Sequence, residues 1–244
     1  MTLAPDSGRP SHVLVFGPIE ETSTEVTVAN AALQPVLDRG TEASLYLDAE
    51  QFSAAYPERL ETFEECCDRD DEGPYRCSLD TCVGPLMTLL SVETWHRFVA
   101  VESLRVDGPS WSLWYVPDHR TFELYGDGDV AAAVRTATEE QPVALLSAGG
   151  RASWTQGGRR YVLDPPSLCV ENRCYALSKL RGIDIDCEAG TVDLSWGGSS
   201  GLLGRLVEHV TTSPPERLSI ADPDDFERVA DTLDRLRTAW GLSE

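Results

Sequence analysis

Apolar side chains near the end of the chain recur at spacings of three and four, the period of a helix with one apolar face. The residues of this stripe are Phe226, Val229, Ala230, Leu233, Leu236 and Trp240. Asp222 is suited to cap the N-terminus, Pro223 to occupy the first helical position, and Gly241 to end the helix. The pattern predicts an amphipathic C-terminal helix between these caps.

The residues before this helix form short apolar or alternating runs that are separated by turn residues. The runs that suit strands are Tyr161–Leu163, Leu168–Val170, Cys174–Leu177, Thr191–Trp196 and Arg217–Ile220. Turns are expected at Asp164–Ser167, Glu171–Arg173 and Glu188–Gly190. Strands at this spacing predict an antiparallel sheet or a small barrel.

An order of antiparallel strands closed by one amphipathic helix resembles the pleckstrin-homology-like (PH-like) fold, particularly its bacterial and archaeal forms. The resemblance is carried by Tyr161–Val170, Cys174–Asp186, Thr191–Trp196 and Arg217–Ile220 followed by Asp222–Trp240, with Pro142–Trp154 as a candidate earlier strand. The Gly-rich segment Gly197–Gly204 departs from the pattern because it is longer than a simple strand connection. PH-like domains bind phosphorylated lipid headgroups or peptides, or act as scaffolds, so the resemblance implies a binding role.

The first part of the chain alternates strand-like and helix-like patterns. His12–Phe16 and Ala43–Leu47 are short apolar runs that suit buried strands. Val26–Leu37 has helical spacing, and Asp48 is suited to cap a second helix that is interrupted near Pro57. The order strand, helix, strand, helix is typical of an α/β domain.

Two further segments complete the N-terminal part. Residues 64–85 form a charged, turn-rich insertion with four cysteines, and residues 101–125 form an aromatic β meander. The predicted organisation is a disordered lead over 1–11, an α/β-type domain over 12–138 and a PH-like domain over 139–244. The predicted fold class is α+β: an N-terminal α/β-type region, an antiparallel meander and a PH-like small barrel closed by a C-terminal amphipathic helix.

Composition indicates an unusual solvent. The chain has 41 acidic against 20 basic residues, a net charge of −21, and Lys179 is its only lysine. Carboxylates hold hydrated cations while the apolar lysine stem is avoided, which indicates the salt-rich cytoplasm of a halophile; an ordinary acidic protein is the alternative. The charge disfavours nucleic-acid binding. With no hydrophobic signal core and no apolar run of roughly 18 residues, a soluble cytoplasmic protein without a transmembrane segment is expected.

The cysteines of the insertion are the first candidate site. Cys66, Cys67, Cys77 and Cys82 have the spacing CC-x9-C-x4-C. Thiolates are soft ligands for zinc, and a structural zinc site needs four ligands in a tetrahedron. The spacing lacks a CxxC knuckle and adjacent cysteines rarely bind one ion together, so a distant fourth ligand such as His96 is considered. A disulfide or redox-sensitive pair and unreactive thiols are the alternatives, and in a cytosolic chain reduced thiols or metal are expected before disulfides.

Positive residues cluster in the C-terminal domain. The window from 151 to 181 holds six positive residues against two carboxylates, a charge of +4 within a chain of −21. The candidate ligand-binding residues are Arg159, Arg160, Arg173, Lys179 and Arg181. Guanidinium groups bind phosphate or carboxylate through paired hydrogen bonds, so the patch predicts an anionic lipid surface or an acidic protein partner. The competing interpretation is that these groups pair with the protein's own carboxylates.

A third candidate is the segment Gly197–Gly201 with Arg205, whose backbone N–H groups could hold an anion if it is more than a flexible connection. Catalysis finds little support, because the four histidines form no recognisable triad or metal pair. They are His12, His96, His119 and His209. We therefore predict no catalytic residue, and zinc is the one cofactor considered.

These patterns favour a non-enzymatic binding or scaffold protein that engages a protein partner or an anionic membrane surface through its PH-like domain. The alternative is a regulator that senses metal or redox state through the cysteine cluster. A third hypothesis is an enzyme assembled from dispersed residues, which requires a pocket that joins a histidine to two carboxylates.

Overall fold

The computed structural model describes residues 8–19, 21–69, 73–92, 96–147, 151–197 and 213–242. The chain divides into two compact units: unit 1 comprises Met1–Leu14 and Ile19–Gln141, and unit 2 comprises Val15–Pro18 and Pro142–Glu244. The predicted junction after residue 138 lies close to this division, but the short segment Val15–Pro18 belongs to unit 2. Residues 1–7 of the predicted lead lie outside the described residues.

Unit 1 combines helices with antiparallel strands. The strands are β1 (His12–Phe16, whose last residues belong to unit 2), β2 (Glu42–Leu47), β3 (Asp68–Arg69), β4 (Tyr75–Ser78), β5 (Val101–Asp107), β6 (Trp111–Val116) and β7 (Thr121–Gly126). The helices are α1 (Thr22–Leu37), α2 (Ala49–Ala55), α3 (Pro57–Glu64), α4 (Leu79–Leu90), α5 (His96–Ala100) and α6 (Val130–Ala137). In the sheet the strands follow the order β3-β4-β2-β5-β6-β7-β1.

The α/β character expected for the N-terminal region is not observed. Strand β1 pairs with β7, and β2 pairs with β4 and β5, all in antiparallel fashion. The meander β5-β6-β7 separates β2 from β1, because consecutive strands joined by tight turns pair with each other first. The two local helix predictions are confirmed: Asp48 accepts the N–H of Gln51 at 3.0 Å at the start of α2, and Pro57 begins α3.

The end of α3 and strands β3 and β4 meet around one tyrosine. The ring of Phe63 packs against that of Tyr75 with centroids 5.5 Å apart. The Tyr75 hydroxyl donates to Glu64 Oε1 at 2.7 Å and accepts from Arg69 Nη1 at 2.8 Å. These contacts hold the end of α3, next to Cys66 and Cys67, against β4, which carries Cys77.

Unit 2 contains two antiparallel sheets and the C-terminal helix. Its strands are β8 (Val143–Ser147), β9 (Ala152–Gln156), β10 (Arg159–Asp164), β11 (Ser167–Val170), β12 (Arg173–Ala176), β13 (Leu180–Asp186), β14 (Thr191–Trp196) and β15 (Arg217–Ser219), followed by α7 (Pro223–Trp240). One sheet has the order β12-β11-β10-β9 and the other β13-β14-β15.

The predicted caps of the C-terminal helix α7 are confirmed. The Asp222 carboxylate accepts the N–H groups of Asp224 and Asp225, each at 3.0 Å. Gly241 ends the helix in the left-handed conformation, with φ 61°. Helix α7 packs on β8, β9 and β13, and four residues of its apolar stripe are buried: Val229, Leu233, Leu236 and Trp240.

The described strands of unit 2 form two open sheets rather than the closed small barrel that the sequence predicted. At the edge of β9, Gln156 Nε2 donates to the carbonyl of Arg217 at 3.1 Å, and its Oε1 accepts the N–H of Ser219 at 2.9 Å. One amide side chain therefore links β9 to β15 where a closed barrel would have a backbone ladder. Each of the two sheets keeps its own backbone hydrogen bonds.

Candidate functional site

A cleft of about 340 Å³ opens in unit 2 beside β10, β11 and β12. Arg159 and Arg173 contribute guanidinium groups to its lining, and Tyr161 and Tyr175 contribute aromatic rings. Pro215, just before β15, adds apolar surface. The cleft therefore presents positive charge and apolar surface side by side.

Strand pairing explains why these side chains share one face of the sheet. Tyr161 lies opposite Val170, which in turn lies opposite Arg173, so the three residues form a row across β10, β11 and β12. Arg159 projects to the same face because side chains alternate along a strand and it precedes Tyr161 by two residues. The Tyr161 ring stacks on that of Trp154 at a centroid distance of 5.4 Å and is 8% exposed. That wall of the cleft is fixed by packing.

The turn between β11 and β12 is held by three kinds of contact. Glu171, with a left-handed φ of 54°, donates its N–H to the carbonyl of Arg160 at 2.8 Å. Its Oε1 accepts the Arg160 N–H at 2.6 Å. Cys169 and Cys174, which are register partners, form a disulfide on the face opposite the cleft. The hairpin that lines the cleft is thus closed by backbone, side-chain and covalent links.

The cleft brings together two of the five candidate basic residues. Arg160 follows Arg159 along β10, so it projects to the opposite face of the sheet. Lys179 is exposed in a short 3-10 turn after β12. The Arg181 guanidinium donates to two backbone carbonyls, at 3.0 and 3.3 Å. Arg159 and Arg173 are therefore the residues that can act on one ligand.

The pattern of ion pairs bears on the competing interpretation, in which the patch is neutralised internally. Within the described ranges, Arg159, Arg160, Lys179 and Arg181 form no ion pair with a carboxylate. Arg151, which is outside the candidate set, pairs with Asp164 at 3.6 Å. Within the described residues, the positive charge that Arg159 brings to the cleft is therefore not cancelled by an ion pair.

Unit 1 brings the cysteines of the insertion together. The sulfur atoms of Cys66, Cys67 and Cys82 all lie within 4.8 Å of one another, close enough to hold a metal ion. Cys66 and Cys82 form a disulfide of 2.05 Å, and Cys67 Sγ lies 3.5 Å from Cys82 Sγ and 4.0 Å from Cys66 Sγ. Cys77 is buried on β4, where its Sγ lies 3.8 Å from the carbonyl oxygen of Ala43.

The disulfide corrects the expectation that these thiols are reduced, because the end of α3 and the first turns of α4 meet closely enough to be bridged. The remaining pair is hydrogen-bonded: this bond to Cys77, with burial adding to it, raises the pKa of Cys67, and the same bond lowers the pKa of Cys77. The side chain of His96, considered as a fourth ligand, lies outside the part of the chain that is described.

Neither of the two clefts in the described residues is of the kind that the enzyme hypothesis requires. The clefts beside β10–β12 and beside Cys77 are lined by no histidine. His12 Nδ1 is hydrogen-bonded with Ser11 Oγ at 3.2 Å, and burial, together with the charge of Arg135, lowers the pKa of His12. Of the third anion-site candidate, only Gly197 falls within the described residues.

Sequence reasoning missed the tyrosines of the cleft and the second disulfide, although signals for both exist. A two-residue turn at Glu171–Asn172 makes Cys169 and Cys174 register partners. Cysteines that face each other across a hairpin in this way can form a disulfide. The period of two along β10 groups Tyr161 with Arg159 and separates Arg160 from both. Alternation along the strand therefore places Arg159 and Arg160 on opposite faces of the sheet, so the sequence alone could have separated these two residues of the patch.

No family model, curated protein or solved structure matches this chain. Function is therefore argued from the geometry and chemistry of the site itself. No helix in the described ranges combines the length and the apolar character needed to cross a membrane.

Proposed function

We propose that this protein is a non-enzymatic binding protein whose unit 2 holds an anionic group of a protein partner in the cleft beside β10–β12. The observation that carries the proposal is the meeting of Arg159 and Arg173 at a cleft walled by Tyr161 and Tyr175. Guanidinium groups form paired, directional hydrogen bonds to carboxylate or phosphate, and tyrosine rings supply rigid apolar area. A carboxylate or phosphate next to an apolar side chain fits this combination.

The element order of unit 2 supports its assignment to the PH-like fold. A four-stranded antiparallel sheet is followed by a three-stranded antiparallel sheet and then by the C-terminal helix α7. Helix α7 packs on β8, β9 and β13, so it acts as a support while the cleft opens beside β10–β12. On this assignment the domain is a binding module or scaffold rather than a catalyst.

Two features favour a protein partner over an anionic membrane surface. A concave cleft of about 340 Å³ suits one side chain or chain end better than a planar array of headgroups. Among the described residues, Val99 of unit 1 is the single large hydrophobic side chain that is exposed. Unit 2 therefore presents no large apolar side chain in its described part to anchor it in a bilayer.

The charge balance supports a salt-rich cytoplasm as the setting. At 1 M salt the Debye length is about 3 Å, so attraction between separated surfaces is screened. Recognition then depends on direct contact between ligand oxygens and guanidinium groups inside a partly enclosed site. The cleft provides that kind of contact, which a flat charged surface does not.

Replacing Arg159 and Arg173 together with Ala tests the proposal. The probes are fluorescein-labelled peptides that carry a phosphotyrosine, or a C-terminal carboxylate after an aromatic residue, measured by anisotropy. Each lost charge-assisted hydrogen bond is worth about 1.5–3 kcal/mol, so losing one from each arginine should weaken affinity roughly 100-fold or more.

The matched control is Arg160→Ala with Lys179→Ala, which removes the same charge outside the cleft. This variant should bind the peptides as the unmodified protein does. Equal losses in both variants would show a diffuse charge effect and overturn the cleft as the site. Binding to vesicles of anionic phospholipid, with none to any peptide, would overturn the choice of a protein partner.

A further inference from the structure

The four cysteines of the insertion converge although they come from three elements. Cys66 and Cys67 directly follow α3, Cys77 lies on β4, and Cys82 lies on the first turns of α4. The pairing of β4 with β2 and the hydrogen bond of Tyr75 to Glu64 hold β4 beside the end of α3, and α4 packs against α3 and β4. The convergence is thus built by the fold and not by local spacing.

Among Cys66, Cys67 and Cys82, two of the three sulfur separations match those of a metal site. With zinc–sulfur bonds of about 2.3 Å, neighbouring sulfurs of a tetrahedral site lie about 3.8 Å apart. Cys67 Sγ lies 3.5 Å from Cys82 Sγ and 4.0 Å from Cys66 Sγ, so the adjacent cysteines direct their sulfurs to one point. The exception is the disulfide between Cys66 and Cys82, at 2.05 Å. Cys77 lies outside this close group of three sulfurs, but its thiol interacts with that of Cys67.

We propose that the cysteine cluster of unit 1 is a redox-controlled zinc site: the reduced cluster binds one Zn²⁺ through Cys66, Cys67, Cys77 and Cys82, and the Cys66–Cys82 disulfide excludes the ion. The two states are mutually exclusive because the same two sulfurs cannot be bonded to each other and both bind a metal. The site belongs to unit 1 and is independent of the binding function proposed for unit 2.

The interconversion balances with a low-molecular-weight thiol as the reductant. Two RSH reduce the disulfide by two electrons, forming RSSR and the thiols of Cys66 and Cys82. Zn²⁺ then replaces the protons of four thiols and releases four H⁺. In the reverse direction RSSR takes two electrons from the Cys66 and Cys82 thiolates, returns to two RSH by taking up two protons, and leaves the ion with two thiol ligands.

A cleft opens beside Cys77, the cysteine of β4. Its volume is about 450 Å³, and it is lined by this residue and by Glu42, Asp68 and Arg76. Cys77 is 3% exposed, so little of it reaches the surface of this cleft. The carboxylates of Glu42 and Asp68 favour the approach of a divalent cation through this opening.

The first test compares two forms of the unaltered full chain. Protein reduced with a phosphine and freed of reductant under anaerobic conditions should bind one Co²⁺ per chain, with the visible and charge-transfer absorption of a tetrahedral thiolate site. Zn²⁺ should displace Co²⁺, and a small-molecule disulfide should release the Zn²⁺ to a chromophoric chelator. Protein purified in the oxidised form should bind neither ion. Failure of the reduced protein to bind, or equal binding by both forms, would overturn the proposal.

Cysteine variants locate the site. In the reduced protein, Cys77→Ser and Cys82→Ser should each weaken Zn²⁺ binding by more than the roughly 10- to 100-fold cost of removing an outer-shell partner. A control combining Cys169→Ser, Cys174→Ser and Cys187→Ser removes the other three thiols and should retain the cobalt spectrum. Loss of the spectrum in this control would place the metal elsewhere. The unaltered-chain test needs no variant to fold, and peptide binding by unit 2 is measured separately.

Discussion

The two disulfides of this protein join segments that are held together in different ways. Cys169 and Cys174 face each other across the hairpin β11–β12, whose backbone ladder already fixes their register. Cys66 and Cys82 instead join the residues after α3 to α4, and no backbone ladder runs between these two. A third sulfur, that of Cys67, lies 3.5 Å from Cys82 Sγ.

The difference separates a covalent clamp from a reactive cluster. The hairpin disulfide joins two residues that the backbone pairing of β11 and β12 already brings together. Among the described residues, no further thiol lies at hydrogen-bonding distance from it. In unit 1, the Cys66–Cys82 disulfide is one of several ways in which the four cysteines of the insertion can be bonded. The role of a disulfide therefore follows from the other contacts between the elements that it joins, and from the thiols beside it, more than from its own geometry.

Removing the disulfide of unit 1 should have the largest effect. Cys66 and Cys82 are 16 residues apart in sequence, and the loop-closure account assigns about 3 kcal/mol to a cross-link of this span. In metal-free buffer, Cys66→Ser with Cys82→Ser should lower the free energy of unfolding of unit 1 by that amount. Hydrogen exchange resolved by peptide should quicken in α3, β4 and α4 and stay unchanged in unit 2.

Cys187→Ser is the matched control, because this exposed cysteine forms no disulfide. Its exchange pattern should equal that of the unmodified protein. Faster exchange throughout both units in the double variant would show that the disulfide supports more than its own elements, and would remove the contrast with the hairpin.

Removing the hairpin disulfide should have a smaller effect that is confined to the turn. Cys169 and Cys174 are five residues apart, for which the same account gives about 2 kcal/mol. The ladder and the contacts of Glu171 with Arg160 keep the hairpin paired. We expect Cys169→Ser with Cys174→Ser to quicken exchange in β11 and β12 only. A loss larger than that of the unit 1 pair would contradict the assignment of this disulfide as a clamp.

The sequence predicts local features well where one side chain and the nearby backbone decide them. The capping of α7 by Asp222, its end at Gly241 and the break at Pro57 are of this kind, and each is confirmed. The meander of aromatic strands also forms, because tight turns pair consecutive strands. Residues far apart in the chain decide the rest.

The meeting of the cysteines shows why the remainder could not be predicted. Cys67 lies near Cys77 and Cys82 only because β4 pairs with β2 and α4 packs beside α3. The spacing of the cysteines in the sequence predicts neither of these contacts. The expected α/β character failed for a similar reason, since three strands of the meander come between β2 and β1. The cleft is an intermediate case: strand alternation selects Arg159 over Arg160, but only the fold brings Arg173 beside it.

The smallest predicted effect concerns the side chains that position the unit 1 cluster. Burial, together with the hydrogen bond to Glu64 and the charge of that carboxylate, raises the pKa of Tyr75 to about 12 from its ordinary 10. The folded state thus holds the phenol proton more tightly than the unfolded state. The resulting stability is fully present below pH 10 and is lost as the pH rises from 10 to 12. Tyr75→Phe should remove this loss.

Tyr75→Phe should also lower the stability of unit 1 at neutral pH by about 1 kcal/mol, the typical net value of a hydrogen bond, because Glu64 and Arg69 are exposed and can be rehydrated. The measurement is denaturant unfolding of unit 1 from pH 9 to 12, with Tyr175→Phe in unit 2 as the control that keeps the original curve. Identical alkaline slopes for Tyr75→Phe and the unmodified protein would mean that Tyr75 does not tie α3 to β4. The cysteines of unit 1 would then be positioned by packing alone. The two disulfides would differ only in that the one of unit 1 has further thiols beside it.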